Sequence, residues 1–264
     1  MSELVDEIAE RLWAAQWSGE PCGAPSQDHP DLDVAAAYAV QAKVMARRRS
    51  ERALSGGRAR PVGRKIGLTS PAIQEWLGVS EPDFGILLDD MVVPDGAKAP
   101  TEVLLQPRVE AEVAFILGDD LVGPGVTAAA VMQATDYVLP ALEIIDSRIA
   151  DWKITYEDTI ADNASSGLFV LGNEPRHLSE VDLRLAGMAL RKNGRVVSTG
   201  AGAACLGHPI NAVVWLANKL GEFDQGLRRG DVILSGALGP VTDVKEGDFV
   251  RADIAGLGTV STRF

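Results

Sequence analysis

Two glutamates stand one residue apart in QPRVEAEVAFIL, and a third lies further along in PALEIID. Within VEAEVAFIL, Val109, Ala111, Val113 and Phe115 alternate with Glu110, Glu112 and Ala114, the pattern of a strand with one apolar face. Residues i and i+2 of a strand point the same way, so Glu110 and Glu112 project side by side with roots about 7 Å apart. Such neighbours repel unless water, a proton or a cation intervenes. Carboxylate oxygens suit Mg²⁺, Mn²⁺ or Ca²⁺ rather than zinc or copper. Taken alone, an E-x-E in an acidic chain is more often an exposed edge strand with two solvated glutamates. The setting favours the cation: Glu143 sits between Ala141-Leu142 and Ile144-Ile145, and a carboxylate buried in an apolar run needs a partner. Asp146 competes with Glu143 for the third ligand position.

Lys65, in GRKIGLTS, is a second charged residue among apolar and glycine neighbours. In a dry pocket near a metal its pKa can fall, so that it shuttles protons or forms a Schiff base; beside Arg64, a surface lysine at a strand start is an equal reading. Asp83 in EPDFG reads first as a turn residue after Pro82 and second as an acid-base group. The cluster DNASSG, Asp162 to Gly167, offers hydroxyls, an amide and backbone donors to a carboxylate, although such clusters usually only make loops. His208, preceding Pro209, reads as a capping or packing residue. Ser147, Ser165 and Ser166 lack a G-x-S-x-G elbow, which argues against a serine hydrolase, and no Gly-rich strand-to-helix loop supports a nucleotide site.

These groups need a scaffold. Val5, Ile8, Ala9, Leu12 and Trp13 recur at helical spacing over residues 3 to 17. After a break containing Gly and Pro, Asp33 is placed to cap a second helix, VAAAYAVQAKVMARRRSERAL, that stops at Gly56-Gly57. The two helices form an expected N-terminal unit, residues 1–60. From residue 61 to 264 the texture changes to short β-like runs, with a hairpin at Asn193-Gly194, a helix opening near Pro209, and closing strands around Gly256-Leu257-Gly258.

Composition narrows the function. At 264 residues, 46% hydrophobic and 23% charged, the chain is an ordinary globular protein able to bury a sizeable core. A net charge of −12 disfavours nucleic acid, and an anionic substrate must meet local positive charge. Two distant cysteines, Cys22 and Cys205, give neither a disulfide framework nor a zinc site. With no secretory signal and no run long enough to span a membrane, the expectation is a cytoplasmic protein.

The segments GRKIGLTSPAIQEWLGVSEPDFGILLDDM, QPRVEAEVAFIL, LPALEIIDSRIADWKITYEDTIADNASSG, GAGAACLGHPINAVVWLANKLG and SGALGP, in order and over nearly the whole chain, resemble the 2-keto-4-pentenoate (2-hydroxypenta-2,4-dienoate) hydratases of the fumarylacetoacetate hydrolase superfamily. The resemblance implies an α+β fold, a mixed β-sandwich-like roll with the N-terminal helical unit. It implies Glu110, Glu112 and Glu143 as ligands of Mg²⁺ or Mn²⁺, choosing Glu143 over Asp146. It also implies Lys65 as acid-base residue, Asp83 in support, and Ser166 in contact with substrate. The activity implied is addition of water to a 2-hydroxy-2,4-dienoate, giving a 4-hydroxy-2-oxo acid in meta-cleavage degradation of aromatic or steroid compounds. A 4-oxalocrotonate-type decarboxylase on the same metal site, or a noncatalytic partner subunit that binds small acids, are the alternatives. A homo-oligomer is implied, with a downstream aldolase or a decarboxylase of the same pathway as candidate partner.

Overall fold

A computed structural model describes residues 2–264. The first helix, α1 (Ser2–Ser18), buries the stripe read from its periodicity, with Val5, Ile8, Ala9, Leu12 and Trp13 all inside. In the Gly- and Pro-containing break that follows, Pro25–Asp28 closes a single helical turn, α2, which the sequence did not signal. Helix α3 (Val34–Leu54) begins at Asp33, whose carboxylate accepts the amide of Ala36 at 2.7 Å and so satisfies one of the free donors of the first turn. It ends before Gly56, which takes the left-handed conformation (φ +77°) that closes helices without a steric penalty.

The remainder of the chain runs β1 (Pro61–Gly67), α4 (Pro71–Leu77), β2 (Asp83–Leu88), β3 (Val92–Val93), β4 (Arg108–Leu117), α5 (Ala128–Ala134), β5 (Thr135–Ile145), α6 (Tyr156–Ala161), β6 (Ser166–Leu171), β7 (Gly187–Lys192), β8 (Arg195–Ala201), α7 (Pro209–Gly221), β9 (Val232–Ala237), β10 (Thr242–Asp243), β11 (Phe249–Ile254) and β12 (Gly258–Arg263). The larger sheet has the order β2-β1-β9-β4-β5-β6-β3, with β10 added on β4; the smaller has the order β12-β11-β7-β8. Pairing is antiparallel except for β1 with β9 and β3 with β6. Strands β11 and β12 pack against β5, which brings the two sheets together around one core. The mixed roll with an N-terminal helical region is thus the architecture observed.

Strand β4 lies between β5 and β9, in the middle of the larger sheet. Its position corrects the expectation of a single apolar face: Val109, Ala111, Val113 and Phe115 are buried on one side, and Glu112 and Ala114 are equally inaccessible on the other. The strand is paired on both edges, with Glu112 inaccessible and Glu110 half-buried, so the exposed-edge reading of E-x-E is excluded here.

The helices belong to the same core. Tyr38 of α3 stacks on Phe84 of β2 with ring centroids 4.4 Å apart, and Phe223 closes on Tyr38 edge-on at 5.1 Å. The hairpin of β7 and β8 turns at Asn193 and Gly194, both with positive φ (53° and 81°), as the two-residue turn requires. His208 caps α7, its Nδ1 accepting the Ile210 amide at 3.1 Å, while Pro209 occupies the first turn. No helix among the described residues is long and apolar enough to cross a membrane.

Because the cap on α3 is a single carboxylate, Asp33→Ala should cost about 1 kcal/mol of stability and Asp33→Ser should recover most of it. Urea denaturation of the two variants measures both effects.

Candidate metal centre and active site

Sheet register assembles the carboxylates. Antiparallel pairing of β4 with β5 sets Glu110 directly opposite Glu143, and residues so paired share a face. Glu112 follows two residues on, on the same face. One oxygen from each of the three lies within 4.8 Å of the others. Glu112 and Glu143 have no solvent exposure, and Glu110 is half-buried at the open side of the cluster.

These oxygens are short of partners. Glu112 Oε2 accepts the amide of Gly236 at 2.8 Å, but Glu112 Oε1 and both oxygens of Glu143 accept no hydrogen bond. Gly236 is needed for that contact: its φ is +105°, and a side chain there would begin 2.2 Å from Thr69 Oγ1. Burial, reinforced by Glu143, pushes Glu110 up to about 7. Burial likewise raises Glu112 well above the ordinary value, helped by Glu143 and Glu110. Glu143 also moves up through burial, against the pull of Lys65. Three carboxylates that resist ionisation together, with unpaired oxygens converging, form an all-oxygen donor set. This fits a hard divalent cation such as Mg²⁺ or Mn²⁺, whose charge would remove both the repulsion and the deficit of partners.

Lys65 comes from β1, whose neighbour β9 pairs with β4. Its ammonium lies 3.2 Å from Glu143 Oε1 and donates to the carbonyl of Ala164 at 2.8 Å, with only 3% of the residue exposed. The surface-lysine reading is therefore excluded. With no cation among the carboxylates its pKa rises: burial acts to lower it, but Glu143, Asp83, Glu110 and Glu112 outweigh burial and hold the group charged. A dry pocket lowers a lysine only when no carboxylates share the pocket.

Asp83 is not a turn residue. It opens β2 opposite Gly67 of β1 and is buried. Its Oδ2 accepts a long hydrogen bond from Thr159 Oγ1 (3.5 Å), and its Oδ1 has no hydrogen-bond partner. Burial raises its pKa and Lys65 opposes that rise. Gly67 makes room for the pair, since a Cβ there would lie 2.2 Å from Asp83 Oδ1 and 3.2 Å from Lys65 Nζ.

The DNAS segment supplies the fourth wall. Asn163, Ala164 and Ser165 all have positive φ (56°, 51° and 51°). For residues other than glycine such conformations cost roughly 1–3 kcal/mol each and persist only where surroundings enforce them. Here the Asn163 side chain grips β2, accepting from Ile86 N at 2.8 Å and donating to Ile86 O at 3.0 Å. The turn thereby aims the Ala164 carbonyl at Lys65. Ser166, the next residue, is buried with its Oγ unpartnered, and Thr159 Oγ1 lies 3.0 Å from Ser165 Oγ. Asp146 is engaged elsewhere: its carboxylate accepts the amides of Leu105 and Gln106 at 2.6–3.1 Å, which leaves the cluster to Glu143.

Sequence reasoning missed Thr159, Gly67 and Gly236, which contact or make room for the groups above, and Arg148, which donates to the carbonyls of Asp162 and Ser166 on either side of the DNAS turn. The glycines carried the one legible signal, as isolated glycines in strand-like runs that permit close approach.

Residues 72–264 match the family described as fumarylacetoacetate (FAA) hydrolase C-terminal. The chain belongs to this family. Among its relatives is the 2-keto-4-pentenoate hydratase of Paraburkholderia xenovorans (strain LB400), 52% identical over 259 residues that cover 98% of this chain and 94% of the relative. The 2-hydroxyhexa-2,4-dienoate hydratase of Comamonas testosteroni is 42% identical over 264 residues, 99% of this chain and 98% of that one. Among solved structures, the 4-oxalocrotonate decarboxylase from Pseudomonas putida G7, complexed with magnesium and adipate, superposes with a TM-score of 0.93 at 39% identity, covering 100% of this chain and 98% of the other. The fold shared with that structure therefore extends over the whole chain, N-terminal helices included.

Two outcomes follow for this family member. Mn²⁺ at a hundred times its dissociation constant should stabilise the folded chain by about 2.7 kcal/mol, read as a higher thermal midpoint, and Glu112→Gln with Glu143→Gln should remove the increment. Without cation, stability should fall as pH rises from 4.5, the ordinary value of Glu110, through about 7, its buried value. The sign follows because a raised carboxylate leaves the folded state holding more protons than the unfolded one across that window. Thermal midpoints measured from pH 5 to 8 with and without Mn²⁺ check this, and the cation should flatten or reverse the slope.

Proposed function

We propose that this chain is a metal-dependent hydratase of 2-hydroxypenta-2,4-dienoate or a close homologue, acting in the cytoplasm in meta-cleavage degradation of aromatic or steroid compounds. The observation that carries the reading is the convergence of Glu110, Glu112 and Glu143, with Glu112 Oε1 and Glu143 Oε2 unpartnered, beside the buried residues Lys65 and Asp83. Similarity along the full length to two dienoate hydratases supports the substrate class.

The overall reaction moves the proton of the 2-hydroxyl to C5, giving a 2-oxo-3-enoate, and then adds water across C3 and C4, with oxygen at C4 and hydrogen at C3. The product is 4-hydroxy-2-oxopentanoate. Glu110, Glu112 and Glu143 would hold Mg²⁺ or Mn²⁺, which when bound supplies Lewis-acid stabilisation of negative charge on the substrate's 2-oxygen. Lys65, held charged among carboxylates, carries the proton that must travel to carbon. Asp83 is more basic than an ordinary carboxylate because it is buried, and its free Oδ1 can accept a proton from the adding water. Ser166, with an unpartnered hydroxyl in the same wall, donates to the substrate carboxylate. The buried setting keeps other water from competing.

A second reading is a decarboxylase of the 4-oxalocrotonate type, favoured by the TM-score of 0.93 to such an enzyme. There the electrons released with CO₂ reach the same 2-oxygen, so one electron sink serves both reactions. The higher identity to the hydratases, 52% against 39%, places hydration first. The reading extends to a homo-oligomer that associates with an aldolase or decarboxylase acting on neighbouring intermediates.

Purified chain with 2-hydroxypenta-2,4-dienoate and Mg²⁺ should bleach the dienol absorbance and yield the 4-hydroxy-2-oxo acid without CO₂. Chelator should stop turnover and Mn²⁺ or Mg²⁺ restore it; full activity in a metal-free preparation would sink the reading, and metal binding with no turnover of either acid would leave a binding subunit. Lys65→Met should retain the metal and lose at least about a hundredfold in kcat, the scale of general acid-base catalysis.

A further inference from the structure

Arg148 and Asp162 are both buried, and the assigned chemistry uses neither. Their contacts are concentrated on the strained turn. The guanidinium donates through Nη2 to the carbonyl of Asp162 at 2.6 Å and through Nη1 to the carbonyl of Ser166 at 3.0 Å, the two residues that bracket Asn163–Ala164–Ser165. Its Nε donates to Asp162 Oδ1. Asp162 Oδ2 accepts from the Arg148 amide and from Ser147 Oγ, each at 3.0 Å. The carboxylate thus neutralises the guanidinium while the guanidinium ties both ends of the turn. A planar fork with several donors in fixed directions can do this; an ammonium cannot hold three acceptors in that geometry.

The turn so held directs the Ala164 carbonyl toward the metal centre, where it accepts from Lys65 Nζ at 2.8 Å. Its other side is docked flush on β2, where a side chain at Gly85 would begin 2.4 Å from the Asn163 carbonyl and 3.2 Å from Lys65 Cγ. We propose that Arg148, clamped to Asp162, is a positioning residue for proton transfer: it fixes the left-handed turn whose Ala164 carbonyl holds the Lys65 ammonium beside the carboxylate cluster. Arg148 makes its polar contacts with Asp162 and Ser166 rather than with Glu110, Glu112 or Glu143 and acts through Lys65, so the inference rests on Lys65 being the proton carrier.

Coupling is the readout that a merely structural role would not move. Arg148→Lys keeps charge and burial but loses the fork, and it should lower kcat by about tenfold to a hundredfold, the cost of misplacing a reacting group, while KM and Mn²⁺ affinity change less than about twofold. In the Lys65→Met background the same substitution should change the residual rate less than about twofold, because the positioned group is gone. Equal losses in both backgrounds, or Mn²⁺ affinity falling in step with kcat, would overturn the proposal, as would an unchanged kcat in Arg148→Lys. If Arg148→Lys does not fold, Asp162→Asn is measured in both backgrounds by the same criteria. A near-normal rate for Lys65→Met alone removes the underlying reading of Lys65 instead, and is recognised before any Arg148 variant is compared.

Discussion

Like-charge repulsion in a dry place organises this molecule. Three carboxylates converge where two have no access to solvent, and the larger sheet holds them there through strands paired on both sides. Left to themselves such groups take up protons, as the upward shifts of all three show. A buried site that discourages its own ionisation becomes favourable only when positive charge enters it. Lys65 supplies one such charge at 3.2 Å from Glu143 Oε1, and the unpartnered Glu112 Oε1 and Glu143 Oε2 leave room for more. The net charge of −12 makes that local cation the means by which an anionic acid can be held against the field of the whole protein.

Such a cluster tolerates no slack in register. Since side chains alternate along a strand, a slip of one residue between β4 and β5 would turn Glu143 to the opposite face from Glu110. The apolar partners prevent it: Val109, Ala111, Val113 and Phe115 fill the other face completely. The hydrophobic half of β4 thus fixes the position of its charged half. Glycines do comparable service at the edges, Gly67 by letting Asp83 and Lys65 share a space and Gly236 by giving Glu112 a backbone donor.

What the sequence revealed followed from locality. Helices α1 and α3, the Asp33 cap, the Asn193-Gly194 hairpin and the His208 cap depend on residues within one or two turns of each other, and all were readable. The common face of Glu110 and Glu112 is local too. Their burial is not, because it depends on β5 and β9 lying on either side of β4. For the same reason physics alone could not separate Glu143 from Asp146, two acids in one apolar stretch whose fates diverge through pairing with Glu110 and with the Leu105–Gln106 amides. Arg148 was invisible because an arginine among Asp, Ser and Ala reads as solvated until the DNAS turn is folded against it.

Two kinds of support meet at Lys65, and their difference bears on how one scaffold can serve related reactions. The metal-binding side is built on long central strands, whose geometry is fixed by hydrogen bonding along β4 and β5. The Lys65 side leans on a turn of three left-handed residues enforced by side chains, Asn163 against β2 and Arg148 across both ends. Hydration and decarboxylation share the sink for electrons at the 2-oxygen but differ in where protons must arrive. A change confined to the turn and its clamp can move the Lys65 ammonium, through the Ala164 carbonyl, while the carboxylates stay where the sheet puts them. On the function proposed above, the electron sink would rest on the sheet, and delivery of protons on the elements that set Lys65, Asp83 and the DNAS wall around it.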